Sequence, residues 1–240
     1  MTAGYFDEDV AGRYDEASAE MFAPEAVDPA VEFLAGLAGD GEALELGVGT
    51  GRIAVPLSAR GVGVHGIDMS EPMVARMRAK PGGERIGVTI GDFATVQVGR
   101  TFRLAYLVFN TIGNLTTQDA QVACFQNVAA QLETGGCFVI EVGVPSLRRL
   151  PMGETVRAFK VSAERLGFDE FNTVTQSLVS HHYWPKDGRR FSIPLRYVWP
   201  SELDLMARIA GMRLKERWAG WRREPFTHDS TKHVSVWEKL

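Results

Sequence analysis

The stretch that decides the fold is Ala43-Leu44-Glu45-Leu46-Gly47-Val48-Gly49-Thr50-Gly51-Arg52, in which an apolar run ends in three alternate glycines. Apolar residues at helical spacing follow it, at Ile53, Ala54, Val55 and Leu57. This order predicts a strand, a tight glycine loop and a helix. Glycine adopts positive φ and has no side chain, so a ligand can lie against the loop backbone. The first N–H groups of the following helix are free to bind a polar or anionic group.

The spacing of the glycines separates two kinds of cofactor site. In the dinucleotide fingerprint G-x-G-x-x-G, the third glycine lies three positions after the second. Here Gly51 lies two positions after Gly49, and Glu45 precedes Gly47 by two. This pattern resembles motif I of the class I S-adenosylmethionine (SAM) dependent methyltransferases, in which it lies under the methionine part of the cofactor. On the glycines alone, a structural turn and a nucleotide site remain alternatives.

The composition is that of an ordinary globular protein, and it argues against several functional classes. The 240 residues are 45% hydrophobic and carry a formal net charge of -4. Without a basic excess, a nucleic-acid substrate is disfavoured. No window approaches the ~18 apolar residues of a membrane span, and the acidic start from Met1 to Asp9 does not resemble a signal peptide. The two cysteines, Cys124 and Cys137, form no C-x-x-C pair, so we expect buried thiols in a cytoplasmic protein.

The second predicted strand, residues 62–68, ends in an acidic residue. Ligands of open α/β sheets sit outside the carboxyl ends of the strands, and Asp68 occupies that position. A carboxylate there can accept hydrogen bonds from both hydroxyls of a ribose. The polarisable Met69 side chain can lie on a purine face. A helix-capping or turn aspartate is the alternative interpretation.

The third predicted strand, residues 86–90, is followed by a second acidic residue, Asp92. Its carboxylate can accept a hydrogen bond from the exocyclic amine of adenine, and the backbone N–H of Phe93 can reach a ring nitrogen. Three consecutive strand ends therefore offer groups for the three parts of SAM. The glycines suit the amino-acid part, Asp68 suits the ribose and Asp92 suits the adenine.

A fourth predicted strand, residues 102–109, ends in a polar turn. Its continuous apolar run is typical of a strand buried on both faces. The Asn110 carbonyl can accept from the cofactor ammonium and Asn114 can face the substrate, although a simple turn before a helix start would look the same. The predicted elements that follow are a helix (119–132), a tight turn (133–136) and a fifth strand (137–142).

The resemblance to class I methyltransferases covers residues 43–142 well and the whole chain in outline. It implies an α/β fold with a Rossmann-like, seven-stranded, mostly parallel sheet, helices on both faces and an antiparallel last strand. The implied parts are an N-terminal cap (1–27), a SAM-binding core (28–149), a small inserted antiparallel sheet (150–198) and the C-terminal part of the core (199–240). The implied SAM-binding residues are Tyr14, Glu45, Gly47, Gly49, Gly51, Arg52, Asp68, Met69, Asp92, Phe93 and Asn110.

Residues 1–27 carry scattered aromatic side chains, and two interpretations of them stay open. They can form a helix that docks its aromatics on the body of the protein. Alternatively, Tyr14-Asp15 resembles the N-terminal cap of small-molecule methyltransferases, in which the tyrosine reaches the cofactor carboxylate or the active site. The next helix is predicted to begin at Asp28, with Asp28 as its N-cap and Pro29 in its first turn.

The region 150–198 alternates between apolar and polar residues, which is typical of half-buried antiparallel strands. We predict strands at 155–161, 170–180 and 190–198. Lys186-Asp187-Gly188 is a hairpin turn signal before the last of them. The sheet can cover the active site or form a homodimer contact.

Methyl transfer from a sulfonium is an in-line displacement, for which the protein supplies binding and alignment. A protonated nucleophile also needs a base. The candidates are His181, His182 and Tyr14, with Tyr183 and Arg196 as groups that orient the substrate. Adjacent strand residues point to opposite faces, so at most one of the two histidines faces a site. A solvated strand end with stacked aromatics is the alternative, and the sequence offers no metal-ligand cluster with useful spacing.

The main hypothesis is therefore a SAM-dependent methyltransferase that acts on N or O of a small molecule. Its finer likeness to sugar N-methyltransferases rests on the architecture and on Tyr14-Asp15. A nucleotide-dependent oxidoreductase is a rival, against which the glycine spacing and Asp92-Phe93 count. A catalytically silent SAM-binding module is another, and the pocket motifs do not distinguish it from an enzyme. The residues do not identify the methyl acceptor.

Overall fold

The computed structural model describes residues 8–240, and its centre is a seven-stranded sheet. The strands are β1 (Ala43–Leu46), β2 (Val64–Asp68), β3 (Gly87–Ile90), β4 (Phe102–Leu107), β5 (Leu132–Gly143), β6 (Val156–Val161), β7 (Leu166–Asn172), β8 (Ser177–Trp184), β9 (Arg189–Arg196), β10 (Met212–Trp218) and β11 (Lys232–Lys239). The helices are α1 (Glu8–Ala17), α2 (Ala19–Phe22), α3 (Pro24–Ala38), α4 (Ala54–Ala59), α5 (Glu71–Arg78), α6 (Gln118–Gln131) and α7 (Pro200–Ile209). Within residues 8–240, none of the helices has the length and apolar character that crossing a membrane requires.

The central sheet has the predicted topology. Its strand order is β10-β11-β5-β4-β1-β2-β3. Neighbouring strands among β1 to β5 pair in parallel, whereas β11 pairs antiparallel with both β5 and β10. The prediction of a mostly parallel sheet with an antiparallel last strand is confirmed. The carboxyl ends of β1 to β5 consequently meet at one edge of the sheet, which we call the carboxyl edge.

Helices cover both faces of this sheet, as the sequence predicts. On one face, Leu44 lies in a buried cluster with Phe125 of α6 and Leu203 of α7. On the other face, Ala43 lies in a second cluster with Leu34 of α3.

Two element boundaries differ from those predicted. The helix predicted to begin at Asp28 begins at Pro24, because Pro24 already supplies the fixed φ that suits a first helical turn, and the helix continues through Pro29. The turn predicted at 133–136 lies inside β5, where the pairing register with β4 shifts between Phe102 and Leu104. Gly135, at φ 76°, permits that irregularity.

The inserted antiparallel sheet has four strands in the order β6-β7-β8-β9, where the sequence predicts three. The predicted strand 170–180 is interrupted after Asn172, whose Oδ1 accepts from the N–H groups of Val174 and Thr175 at 3.0 and 3.2 Å. Such an Asx turn competes with strand pairing, and the alternation pattern does not reveal it. The hairpin turn at 186–188 is confirmed, with Gly188 at φ 70°.

The inserted sheet lies beside the carboxyl edge of the central sheet. Leu195 of β9 packs against Gly113, which follows β4. At the other side, Nη1 of Arg157 in β6 donates to Oγ of Ser146, which follows β5, at 2.7 Å. The sheet is thus anchored near the ends of two neighbouring central strands. We call the face that carries Arg157 and Leu195 the inner face, and the opposite one the outer face.

Candidate functional site

The glycine loop connects β1 to α4 and has a backbone that only glycine adopts readily. Gly47, Gly49 and Gly51 all have positive φ, at 72°, 53° and 77°. A Cβ on Gly51 would lie 2.5 Å from Cγ of Met77, and one on Gly47 would lie 3.0 Å from Cγ2 of Thr111. The loop therefore leaves its bare backbone at the carboxyl edge, where a ligand can approach it.

Asp68 at the end of β2 holds the glycine loop in place. The N–H of Gly49 donates to Oδ2 at 2.7 Å and the N–H of Ser70 donates to Oδ1 at 2.8 Å. Burial raises the pKa of this carboxyl, and the backbone donors oppose that rise. Each carboxylate oxygen has a further lone pair for a ligand hydroxyl. Met69 beside it is partly exposed.

At the end of β3, Asp92 and Phe93 have different environments. Oδ1 of Asp92 accepts from the N–H of Ala94 at 2.9 Å, and the residue is half-buried. The ring of Phe93 is fully buried in the core. Only its backbone can therefore reach a ligand, as the sequence predicts.

Glu45 is buried beneath the loop. Its Oε2 accepts from Oη of Tyr106 at 2.9 Å. Burial raises the pKa of the Glu45 carboxyl to about 8, against the opposing effects of the Tyr106 hydrogen bond and the Arg52 charge. Sequence reasoning places Glu45 at the cofactor, and the structure places its carboxyl inside the protein, with one oxygen on Tyr106 from β4.

The N-terminal cap is docked on the glycine loop. Asp15 of α1 accepts from Oγ1 of Thr50 at 2.6 Å and pairs with Nζ of Lys80 at 2.5 Å. Nη1 of Arg52 donates to the carbonyl of Met21 at 3.3 Å. Burial raises the pKa of Tyr14, against the opposing effect of the Arg52 charge. A docked helix and a lid over the cofactor are both compatible with these contacts.

The turn after β4 is strained. Phe109 and Asn110 have φ of 57° and 59°, in the left-handed region that costs about 1–3 kcal/mol for a residue other than glycine. The guanidinium carbon of Arg52 lies 5.3 Å from the centre of the Phe109 ring. Oδ1 of Asn110 accepts from the N–H of Gly143 at 2.6 Å. The turn thus carries a partly exposed aromatic ring towards the glycine loop.

Glu141 in β5 fixes this strained turn, and sequence reasoning missed it. Its Oε2 accepts from the N–H of Phe109 and its carbonyl accepts from the N–H of Asn110, both at 3.2 Å. Its Oε1 accepts from Nε1 of Trp221 at 3.1 Å and lies 3.5 Å from Nζ of Lys232. The sequence signal that could have revealed Glu141 is its position as an acidic residue inside the apolar predicted strand 137–142.

We expect Glu141→Ala to lower kcat/KM about tenfold. The truncation leaves the donors of Phe109 and Trp221 without their acceptor, and each such loss costs about 1–3 kcal/mol. We expect the loss of these hydrogen bonds to displace the turn from its position at the site. Steady-state kinetics and SAM affinity measure the effect, with Glu141→Gln as the variant that retains an acceptor. Unchanged kinetics in Glu141→Ala would show that the turn holds its shape without the carboxylate.

The two histidines lie on opposite faces of the inserted sheet, as expected for neighbours in a strand. His182 is on the inner face, where Nη2 of Arg165 contacts its Nδ1 at 2.6 Å and Oγ of Ser180 contacts its Nε2 at 3.3 Å. Burial and the Arg165 charge lower the pKa of His182 to about 4. Arginine only donates, so Nδ1 accepts and Nε2 carries the hydrogen. Both nitrogens of His182 are therefore engaged.

Three other predicted residues are directed elsewhere. His181 lies on the outer face, stacked on Phe168 and 2.7 Å from Oγ of Ser192, and Tyr183 shares that face. Arg196 is buried, and its guanidinium donates to Gln121 and, at 2.7 Å, to Glu202. Their predicted roles in catalysis or substrate binding stay predictions. Asn114 ends the short 3-10 turn that begins at Thr111, near the carboxyl edge.

The residues at the carboxyl edge fit SAM by the chemistry of their groups. Asp68 offers a carboxylate for hydroxyls, Asp92 offers one for an amine, and the glycine loop offers bare backbone. Partly exposed apolar side chains follow two strands at the same edge: Met69 comes after β2 and Phe109 after β4. Within residues 8–240 there is no group of three or more His, Cys, Asp or Glu side chains that could hold a metal ion.

Comparison with known proteins decides the family. A methyltransferase-domain family model matches residues 43–136. The solved CcbJ methyltransferase from Streptomyces caelestis is 37% identical over 88% of this chain and 94% of that chain, with a TM-score of 0.79. This chain belongs to the SAM-dependent methyltransferases. Its cofactor is SAM.

Two further relatives of this methyltransferase are informative. The cypemycin N-terminal methyltransferase from Streptomyces is 25% identical over 82% of each chain. The SAM-bound structure of CalS10, an amino pentose methyltransferase from Micromonospora echinaspora, is 22% identical with a TM-score of 0.69, which shows a shared fold. Neither the oxidoreductase nor the silent SAM-binding module is favoured by these comparisons.

Proposed function

We propose that this methyltransferase transfers the methyl group of SAM to an amine nitrogen of a ring-bearing small molecule. The observation that supports nitrogen over oxygen is the state of His182, the candidate base on the inner face. Its pKa is about 4 and both ring nitrogens are engaged. An alcohol needs a strong base before it attacks, whereas an amine attacks through a lone pair once it is unprotonated. The relative named as an N-terminal methyltransferase is in keeping with this choice.

In the proposed mechanism, the chain binds and aligns the two reactants. The glycine loop holds the amino-acid part of SAM, Asp68 holds the ribose hydroxyls and Asp92 holds the adenine amine. Bound SAM supplies the electrophilic methyl group for an in-line displacement. The N-terminal cap that carries Tyr14 accepts a hydrogen bond from Arg52, covers the loop and excludes water. The inner face of the inserted sheet contacts the acceptor.

A methyl-transfer assay on paired substrates tests the proposal. Each pair consists of an amine and the alcohol of the same shape, such as an amino pyranoside and the corresponding hydroxy pyranoside. Cyclic amines and short peptides with free N-termini are paired with their hydroxy analogues in the same way. We expect mass spectrometry to show N-methyl products from amines. Methylation of alcohols with no amine accepted would overturn the proposal.

The predicted location and assembly remain proposals. Two buried free thiols, Cys124 and Cys137, suit a reducing compartment such as the cytoplasm. The outer face of the inserted sheet exposes Phe168 and Tyr183, which suits the predicted homodimer contact. Light scattering of the purified chain, with and without charged substitutions at these two positions, tests the dimer. We also retain the expectation that nucleic acid is not a substrate.

A further inference from the structure

The inner face of the inserted sheet is arranged in rows that start at the carboxyl edge. Directly paired residues share a face, so each row is one residue per strand. The rows across β7, β8 and β9 are, in order from the edge, Phe171–Leu178–Leu195, then Asp169–Ser180–Ile193, then Gly167–His182–Phe191. Successive rows are about 7 Å apart. The row of Asp169 is thus one step from Leu195, which packs on Gly113 after β4.

The row that contains Asp169 is also anchored at its β6 end. Arg157 pairs directly with Asp169 across β6 and β7, and its guanidinium donates to Ser146 after β5. The row therefore runs between the chain segments that follow β4 and β5. Asp169 therefore lies in a row whose neighbours contact the segments after β4 and β5.

A directional pair of hydrogen bonds ends on Ser180, which is the direct partner of Asp169 across β7 and β8. Arg165 donates to Nδ1 of His182, so Nε2 of His182 donates to Oγ of Ser180. Ser180 is buried, so these bonds order the residue beside Asp169. Burial raises the pKa of the Asp169 carboxyl, and the Ser180 hydroxyl and the Arg157 charge oppose that rise.

Aromatic rings surround His182, in the row of the inner face that is farther from the carboxyl edge. The rings of Phe191 and Phe159 lie 4.7 and 5.3 Å from the ring of His182. Trp184 follows at 6.2 Å, with the guanidinium of Arg189 over it at 4.2 Å. A half-buried carboxylate next to an aromatic surface suits a ligand with an amine on a ring, because the amine needs an acceptor and the ring needs an apolar contact.

We propose that Asp169 is an acceptor-binding residue, which takes a hydrogen bond from the amine of the methyl acceptor while the acceptor's ring lies towards His182, Phe159 and Phe191. This inference rests on the proposed amine N-methylation and names the group that recognises the amine. The contact orients the nitrogen. The hydrogen bonds from Arg165 through His182 order Ser180, the residue directly beside Asp169.

The test is Asp169→Asn, assayed with the ring amine that the wild-type enzyme methylates best. We expect KM for the amine to rise about 10- to 100-fold, since a hydrogen bond to a charged group is lost. SAM affinity by calorimetry stays the same. An analogue of the same ring without the amine, used as a competitive inhibitor, binds wild type and variant equally, so the loss is confined to ligands that donate to Asp169.

The matched control is Glu170→Gln, which changes the next residue of β7 on the outer face. We expect its KM values to match those of wild type, and Asp169→Glu to recover part of the lost affinity. An unchanged KM in Asp169→Asn, or an equal rise of KM in Glu170→Gln, would overturn the inference about Asp169. Neither result would contradict the proposed amine N-methylation. If the wild-type enzyme methylates no amine, the proposed function fails first, and the inference falls with it.

Discussion

Asp68→Ala is expected to weaken SAM binding about 100-fold or more. In the proposed site the carboxylate accepts both ribose hydroxyls, and hydrogen bonds to a charged group contribute about 1.5–3 kcal/mol each. About 1.4 kcal/mol corresponds to a factor of ten in affinity, so two lost bonds account for the estimate. The substitution also removes the acceptor of the Gly49 N–H, which frees the glycine loop. Calorimetric titration of SAM measures the effect.

Two variants sharpen this experiment. Asp68→Asn keeps an acceptor for Gly49 but loses the charge, so we expect a smaller loss of affinity. Asp40→Ala removes an exposed aspartate before β1, at the opposite edge of the sheet, and should leave SAM binding unchanged. Wild-type affinity in Asp68→Ala would mean that SAM binds elsewhere in the molecule. NAD in the same titration should bind neither protein, which also tests the oxidoreductase alternative.

The second large effect is a loss of stability with rising pH, caused by Glu45. The folded protein holds this carboxyl at a pKa of about 8, against 4.5 for an unperturbed glutamate. Between these values the folded state keeps a proton that the unfolded state has released. Raising the pH through this window therefore favours unfolding, with a slope of at most about 1.4 kcal/mol per pH unit. Below pH 4.5 Glu45 is protonated in both the folded and the unfolded state, so it does not make the free energy of unfolding depend on pH.

Glu45→Gln removes this titration and retains an acceptor for Tyr106. We expect the variant and wild type to have similar free energies of unfolding at pH 5, and the variant to be more stable at pH 9. Urea denaturation without SAM measures the difference. Glu42→Gln, at an exposed glutamate paired with Arg100 before β1, is the control and should follow the wild-type curve. Parallel curves for Glu45→Gln and wild type would contradict the raised pKa.

Local sequence patterns were sufficient for the main sheet. The glycine spacing at 47–51 requires positive φ, which the structure has at all three glycines. The insert was predicted less completely, because the Asx turn at Asn172 divides one alternating run into two strands. Alternation reports the two faces of a strand, but it does not show where the chain reverses. The start of α3 was misplaced for a similar reason, since either of two prolines suits a first turn.

The site divides in the same way. The positions of Asp68 and Asp92 at the carboxyl edge were predictable, because every parallel strand brings its carboxyl end to one edge and position in the chain fixes position in space. Glu141 was missed because its partners, Phe109 and Trp221, come from distant segments. The burial of Arg196 was not predicted, because a charged residue at a strand end looks exposed in sequence, whereas it is buried against Gln121 and Glu202.

The sequence by itself determined the strand–loop–helix unit, the order of the acidic strand ends and therefore the SAM-type site. Those features depend on backbone conformation and on chain direction, which neighbouring residues specify. Only the tertiary structure decided which face each side chain of the insert occupies and which groups it meets. The row of Asp169, the orientation of the hydrogen bonds from Arg165 and the burial of Glu45 arise from contacts between strands far apart in the chain, and no local pattern encodes them.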